Sequence, residues 1–248
     1  MEDFKQRLYE NGYFRQEELV FWDCDRNQRV RVAALLSRLG AFAGYDYDAR
    51  GLTHDVLWAS REVFLLSRAA LKIHDCPRAH DVLDITTWEA GAHAAHMRRY
   101  YEMADGTGQV RVSARTDWIL VDPETRKIMR PSAFTAKPLM RSDRPLDCPE
   151  TRKIILPKEG RENLGTRTVR WSDLDGNGHL FSGNYADIIW DVLPEDLQER
   201  APREFQINYS REAVLGDVLV LEGFRDETGY FVEGLGPHGS CFTALCVF

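Results

Sequence analysis

Hydrophobic and polar positions change period along this chain, and the changes come twice in the same order. A short strand is expected over 13–21, after which Val32, Leu35, Leu36, Leu39 and Phe42 recur at helical spacing, with Gly40 and Gly44 near the end of the run. This helix is apolar around most of its circumference, which predicts burial. Strand-like segments follow at 63–73, 82–89, 96–103 and 110–121. In the last of them Val110, Val112, Ala114, Thr116, Trp118 and Leu120 alternate with Arg111, Ser113, Arg115 and Asp117, the period of a strand with two unlike faces. Asp105-Gly106 and Asp122-Pro123 supply turns.

Over 135–165 the chain is rich in Pro, Lys and Arg with no sustained period, which predicts a linker wrapping the surface. The pattern then restarts. A strand over 166–171 leads through a polar loop into a helix whose Tyr185, Ile188, Ile189 and Val192 share one face, stopped by Pro194. Strands over 205–212, 217–224, 230–233 and 240–248 complete it. The prediction is an α+β protein of two similar halves, 1–134 and 166–248, joined by a basic linker over 135–165.

A motif repeat supports the duplication. Asp23-Cys24-Asp25-Arg26-Asn27-Gln28-Arg29 matches Asp173-Leu174-Asp175-Gly176-Asn177-Gly178-His179 at a constant offset of 150 residues, with Arg29 standing where the second copy has His179. Ser60-Arg61-Glu62 matches Ser210-Arg211-Glu212 at the same offset, which makes Glu62 a relic of Glu212. Asp81-Val82-Leu83, however, matches Asp217-Val218-Leu219 at an offset of 136, placing Glu62 well upstream of the equivalent point. One of these two matches is accidental.

Either Asp-x-Asp-x-Asn alone is a common capping and turn pattern. The second copy goes further, because Asp175, Asn177 and His179 with Glu212 form a hydrogen-bonding, titratable set without a nucleophile, the kit for activating water. An EF-hand reading puts Asp173, Asp175, Asn177 and Gly178 at loop positions one, three, five and six. Position twelve is then Asn184 rather than Glu, and the preceding segment is β-like where a helix is required. A Cys-His-Asn hydrolase lacks an activating signal at Cys241 or Cys246, and Ser182 and Ser210 lie in no Gly-x-Ser-x-Gly elbow.

Trp171-Ser172-Asp173-Leu174-Asp175-x-Asn177-x-His179 with Tyr185, followed by Asn208-Tyr209-x-Arg211-Glu212, resembles the acyl-acyl-carrier-protein thioesterases of plant and bacterial fatty-acid synthesis. The resemblance spans nearly the whole chain. It implies two tandem hotdog folds, each an antiparallel sheet around a long helix, with the active site in the second and an acyl-binding first half represented by 58–88. It also implies that Asp175, Asn177, His179 and Glu212 are the catalytic positions. Asp175 is then a base or attacking group and Glu212 holds water or the His tautomer, with Glu212 as the base the alternative, and amides at the following helix start bind the oxyanion. The expected acyl-chain contacts are Leu36, Phe42, Trp58 and Tyr185. Two departures stand out: Ala213 follows Glu212 where many members have Cys, and Phe181-Ser182 replaces a frequent Asn-Asn.

Composition narrows the partners. The chain has 248 residues, 44% hydrophobic and 29% charged, with no apolar run long enough to span a membrane and a charged start unlike a signal peptide, so a cytoplasmic monomer or homodimer is expected. Five scattered cysteines suggest reduced thiols, neither a disulfide framework nor a metal site. A net charge of −7 argues against nucleic acid. The charge is uneven, since twelve Lys/Arg stand against five Asp/Glu between Arg126 and Arg170. An acidic partner, here acyl carrier protein, fits that stretch, with acyl-coenzyme A as the alternative carrier and a non-enzymatic acyl-binding module as the alternative role.

Overall fold

A computed structural model describes residues 4–248, so Met1–Asp3 of the charged start lie outside it. The first half supplies β1 (Gln6–Tyr9), β2 (Gly12–Glu18), α1 (Val32–Asp48), α2 (His54–Ala59), β3 (Val63–Ile73), β4 (Val82–His93), β5 (His96–Ala104), β6 (Val110–Val121) and the short β7 (Ile128–Met129). The second supplies β8 (Glu162–Thr168), α3 (Asn184–Val192), α4 (Glu195–Gln198), β9 (Glu204–Tyr209), β10 (Val218–Arg225), β11 (Tyr230–Gly236) and β12 (Gly239–Val247). All strands join one open antiparallel sheet ordered β1-β2-β4-β5-β6-β3-β9-β12-β11-β10-β8, with β7 paired to β6. Outward from the β3–β9 seam, β3-β6-β5-β4-β2 corresponds to β9-β12-β11-β10-β8. This is a tandem hotdog.

Apolar pairs hold the seam. Ala69 faces Ile207 and Leu71 faces Phe205, all four buried, so separating the halves would expose core on both sides. Above the sheet, α1 packs its Leu35, Leu36, Leu39 and Phe42 face into the main core and meets β2, β4 and α3. The helix runs past both glycines to Asp48, because this burial outweighs a helix-interior penalty of about 1 kcal/mol per glycine. At Gly183 a Cβ would lie 2.6 Å from Ser37 Oγ and 3.1 Å from the Ala33 carbonyl, so glycine permits the close approach of α3 to α1.

Residues 134–161 are irregular but anchored across the sheet. Thr151 Oγ1 donates to Asp117 Oδ2 at 2.5 Å, Ile154 N donates to Asn208 Oδ1 at 2.8 Å, and Asn208 Nδ2 donates to the Arg152 carbonyl at 3.0 Å. Arg115 and Asp117 of the polar set of β6 are therefore buried beneath this strap instead of solvated, Arg115 donating to the Cys148 carbonyl, while Ser113 is buried beside His74. The second half's first strand begins at Glu162 and stops at Thr168. A 3-10 turn at Trp171–Asp173, capped by Asp173 on the Arg170 amide, ends the extended run.

The structure also decides between the two sequence offsets. Arg78 N donates to Asp81 Oδ2 as Val214 N donates to Asp217 Oδ2, and the isolated bridges Arg29–Arg78 and His179–Val214 correspond. The offset downstream of α1 is 136, which puts Cys76 at the position of Glu212. Glu62 is a buried anchor whose carboxylate accepts from Thr135 N, Thr135 Oγ1 and Ala136 N, tying the start of the strap to the first half.

Candidate active site

Asp175 builds the loop that carries the site. Its Oδ1 accepts from the amides of Asn177 at 2.8 Å and His179 at 3.2 Å, while its own amide donates to the His179 carbonyl at 2.8 Å. Gly178 closes the turn at φ +79°, a left-handed conformation that side chains disfavour. The chain then pairs with the segment after Glu212, Leu180 N donating to the Ala213 carbonyl at 2.8 Å. Local sequence and long-range pairing thus bring His179 Nε2 to 3.4 Å from Glu212 Oε2.

Asp173 has a different task. It is buried, bound by Arg167 Nη2 at 2.8 Å, and caps the Arg170 amide. Asn184 begins α3 and donates to the Asp173 carbonyl, and a strand precedes the loop. The EF-hand reading fails on this geometry, because the carboxylate meant for calcium is committed to a guanidinium and an amide.

Asn177, His179 and Glu212 line one part of a cavity of about 570 Å³ that extends into the first half. Its helical wall is Gly40, Ala43, Gly44 and Tyr47 of α1, a face set by steps of three and four residues. Trp58 lies on the wall and is 49% exposed. Leu36 and Phe42 do not: Leu36, one turn before Gly40 on the same face, and Phe42, on the far face, are both buried in the core. Tyr185 is likewise a core residue, stacked edge-on with Phe242 and Tyr209 at centroid distances of 5.2 and 5.5 Å. Burial pushes its phenol above the ordinary range.

Charged groups complete the wall. Glu89 and Arg99 are buried there, with Tyr47 Oη donating to Glu89 Oε1 at 2.9 Å, Lys137 Nζ donating to Glu89 Oε2 at 2.7 Å, and Arg99 Nη2 donating to Asp46 Oδ2 at 2.8 Å. Pairing offsets the desolvation of these ions. Leu139 and Met140 of the strap line the cavity, and Lys137 of the strap holds Glu89, so the strap helps build the cavity.

Asp175 itself sits half-buried within its loop and is not on the cavity wall. The amides at the start of α3 are also off the wall, since that turn abuts Ala33 and Ser37 of α1. A residue not singled out for the site joins it: Arg126, at the turn between β6 and β7, lines the cavity and pairs with Glu212. No local pattern marks it, because the contact crosses between halves. Cys241 and Cys246 are buried and off the wall.

The chain matches the acyl-ACP thioesterase N-terminal domain over residues 10–133 and the C-terminal domain over residues 158–230. Among curated proteins it is similar to a chloroplastic acyl-[acyl-carrier-protein] hydrolase of Cuphea viscosissima, 25% identical over 93% of this chain and 59% of the relative. A chloroplastic palmitoyl-acyl carrier protein thioesterase of Arabidopsis thaliana is 24% identical over 94% of this chain and 60% of the relative. The chain thus spans about six-tenths of the length of these relatives. Among solved structures, an acyl-ACP thioesterase from Bacteroides thetaiotaomicron superposes with a TM-score of 0.87 at 24% identity, covering 96% of this chain and 97% of its own. A 12:0-ACP thioesterase from Umbellularia californica gives 0.78 at 17% identity, covering 97% and 98%. Through both of its halves, the chain belongs to the acyl-ACP thioesterase family.

Proposed function

We propose that this protein hydrolyses fatty acyl thioesters borne on acyl carrier protein, releasing free fatty acid and holo-carrier. The observation that carries this reading is the continuity of one cavity from Asn177, His179 and Glu212 into a largely apolar first-half chamber. A thioester carbonyl held near His179 leaves its alkyl chain facing α1.

In this mechanism the His179–Glu212 pair draws a proton from water as its oxygen attacks the carbonyl carbon. Asn177, exposed on the same wall, donates a hydrogen bond to the carbonyl oxygen as negative charge develops there. The C–S bond then breaks, and the thiolate leaves and takes up the proton. Asp175 maintains the loop through its Oδ1. Its fixed hydrogen bonds and its place off the cavity wall favour Glu212 over Asp175 as the proton-accepting carboxylate.

Carrier preference is tested by steady-state hydrolysis of acyl carrier protein and coenzyme A thioesters over several chain lengths. Arg152 and Lys153 are exposed on the strap, with no acidic partner among the described residues. Charge reversal of both is expected to raise KM for the carrier protein substrate more than for the coenzyme A substrate. Added salt should weaken the wild-type interaction similarly, since exposed charges are screened over roughly 8–10 Å. An equal response with both carriers refutes docking through the strap, and turnover of coenzyme A esters alone refutes the carrier assignment.

A further inference from the structure

Arg126 belongs to the first half, yet its guanidinium pairs with Glu212 of the second. Glu212 Oε2, the oxygen in that pair, is also the one 3.4 Å from His179 Nε2, so a single carboxylate oxygen faces both the guanidinium and the imidazole. The turn that presents Arg126 is built for the purpose. Asp122 Oδ1 accepts from the amides of Glu124 and Thr125 at 2.9 and 3.1 Å, Arg126 N donates to the Asp122 carbonyl at 2.8 Å, and Arg61 holds Asp122 from the side at 2.8 Å. Arg126 itself adopts φ +56°, uncommon for a residue with a Cβ.

The pair does little for stability. Arg126 is 66% exposed, and an ion pair so accessible to water contributes almost nothing to folding. Its effect is local. It restrains a glutamate side chain that otherwise has free rotamers and aims the carboxylate at His179.

We propose that Arg126 is a positioning residue for the Glu212–His179 pair, acting across the boundary between halves, so that the hairpin between β6 and β7 is part of the reactive apparatus. This rests on the thioesterase reading above. It also separates Arg126 from the basic residues of the strap: a docking charge acts on carrier binding, whereas a positioning charge acts on the chemical step whatever the carrier.

The test compares Arg126→Ala and Arg126→Lys in the full chain, using both an acyl carrier protein substrate and a short acyl thioester of a small thiol. Arg126→Ala is expected to lower kcat about tenfold on both substrates, leaving KM for the small thioester within about twofold, and Arg126→Lys to restore most of the loss. In a Glu212→Gln background, Arg126→Ala should have no further effect on kcat. The ring resonances of His179 should move in Arg126→Ala and return in Arg126→Lys, a readout independent of turnover. An unchanged kcat, or an effect confined to KM for the carrier protein, overturns the proposal, as do His179 resonances that do not respond. If the wild-type protein hydrolyses neither thioester, the functional reading fails, and the spectra still decide whether Arg126 positions the pair.

Discussion

Asp25 and Asp175 organise their loops with the same hydrogen bonds. Each Oδ1 accepts from the amides two and four residues on, at 2.8 and 3.0 Å in the first half and 2.8 and 3.2 Å in the second. The side chains around the two loops differ. Arg29 folds back onto Asp25 Oδ2 through Nε and Nη2 and donates from Nη1 to the Glu199 carbonyl, whereas His179 at the matching place faces Glu212. Cys76 occupies the counterpart of Glu212, and burial pushes its thiol up to about 11, so at neutral pH it is protonated and offers no base.

The helices differ in the same sense. Gly40 borders the larger cavity of about 570 Å³, with nothing within 4 Å of the position of a Cβ. Its counterpart at the offset of 150 is Trp190, which borders a smaller cavity of about 390 Å³ beside Arg29 and Cys76 and packs near Phe205 and Phe248 at 6.1 and 6.4 Å. The segment after α4 adds a latch, with Asn27 Nδ2 donating to Glu199 Oε2 at 3.0 Å. A duplicated backbone therefore preserves the loop, while a few side chains decide which copy sets a histidine against a glutamate and which helix borders the larger cavity.

The largest effect that tests this contrast is on chemistry. Glu212→Gln and His179→Ala should each lower kcat by about a hundredfold or more, the scale of losing a general base. Near-wild-type turnover in either folded variant would abolish the distinction between the halves. Asp175→Asn retains an oxygen that can accept both loop amides and should cost less than Glu212→Gln; an equal or larger loss would give Asp175 a direct part in the reaction.

A smaller effect is expected on selectivity. Gly40→Trp places in α1 the residue that α3 carries at the matching position, and its side chain points into the larger cavity. Turnover of long acyl chains should fall by about tenfold relative to short ones, the scale of one or two lost apolar contacts in a binding pocket. An unchanged chain-length profile would remove the α1 wall from substrate binding.

The smallest effect sharpens the role of the first copy. Asn27→Ala breaks an exposed contact with Glu199 and should lower stability by only about 0.5 kcal/mol in denaturant titration while leaving kcat on a small thioester intact. Collapse of kcat in folded Asn27→Ala protein would mean that the first loop also takes part in the reaction.

Much of the fold was legible because burial on one face imposes a period on the sequence. The alternation in β6 and the helical spacing from Val32 to Phe42 both correspond to real elements. Less legible were α2, the β1 hairpin strand and the full length of α1, where short segments and glycines weaken local signals. The same periodicity located apolar residues without saying what they face. Leu36 and Phe42 have the composition of a pocket wall and lie in the core, while Gly40 and Gly44 form the wall.

By itself the sequence determined the duplication, the α+β tandem plan, the loop around Asp175, and the contrast of His179 with Arg29, since each is written in residues close together or repeated at a regular offset. Only the tertiary structure decided that Cys76, not Glu62, stands in the place of Glu212, that the basic strap covers the polar face of β6, and that Arg126 meets Glu212. These depend on sheet register and on contacts between segments far apart in the chain, and a one-residue change of register turns every side chain of a strand to the other face.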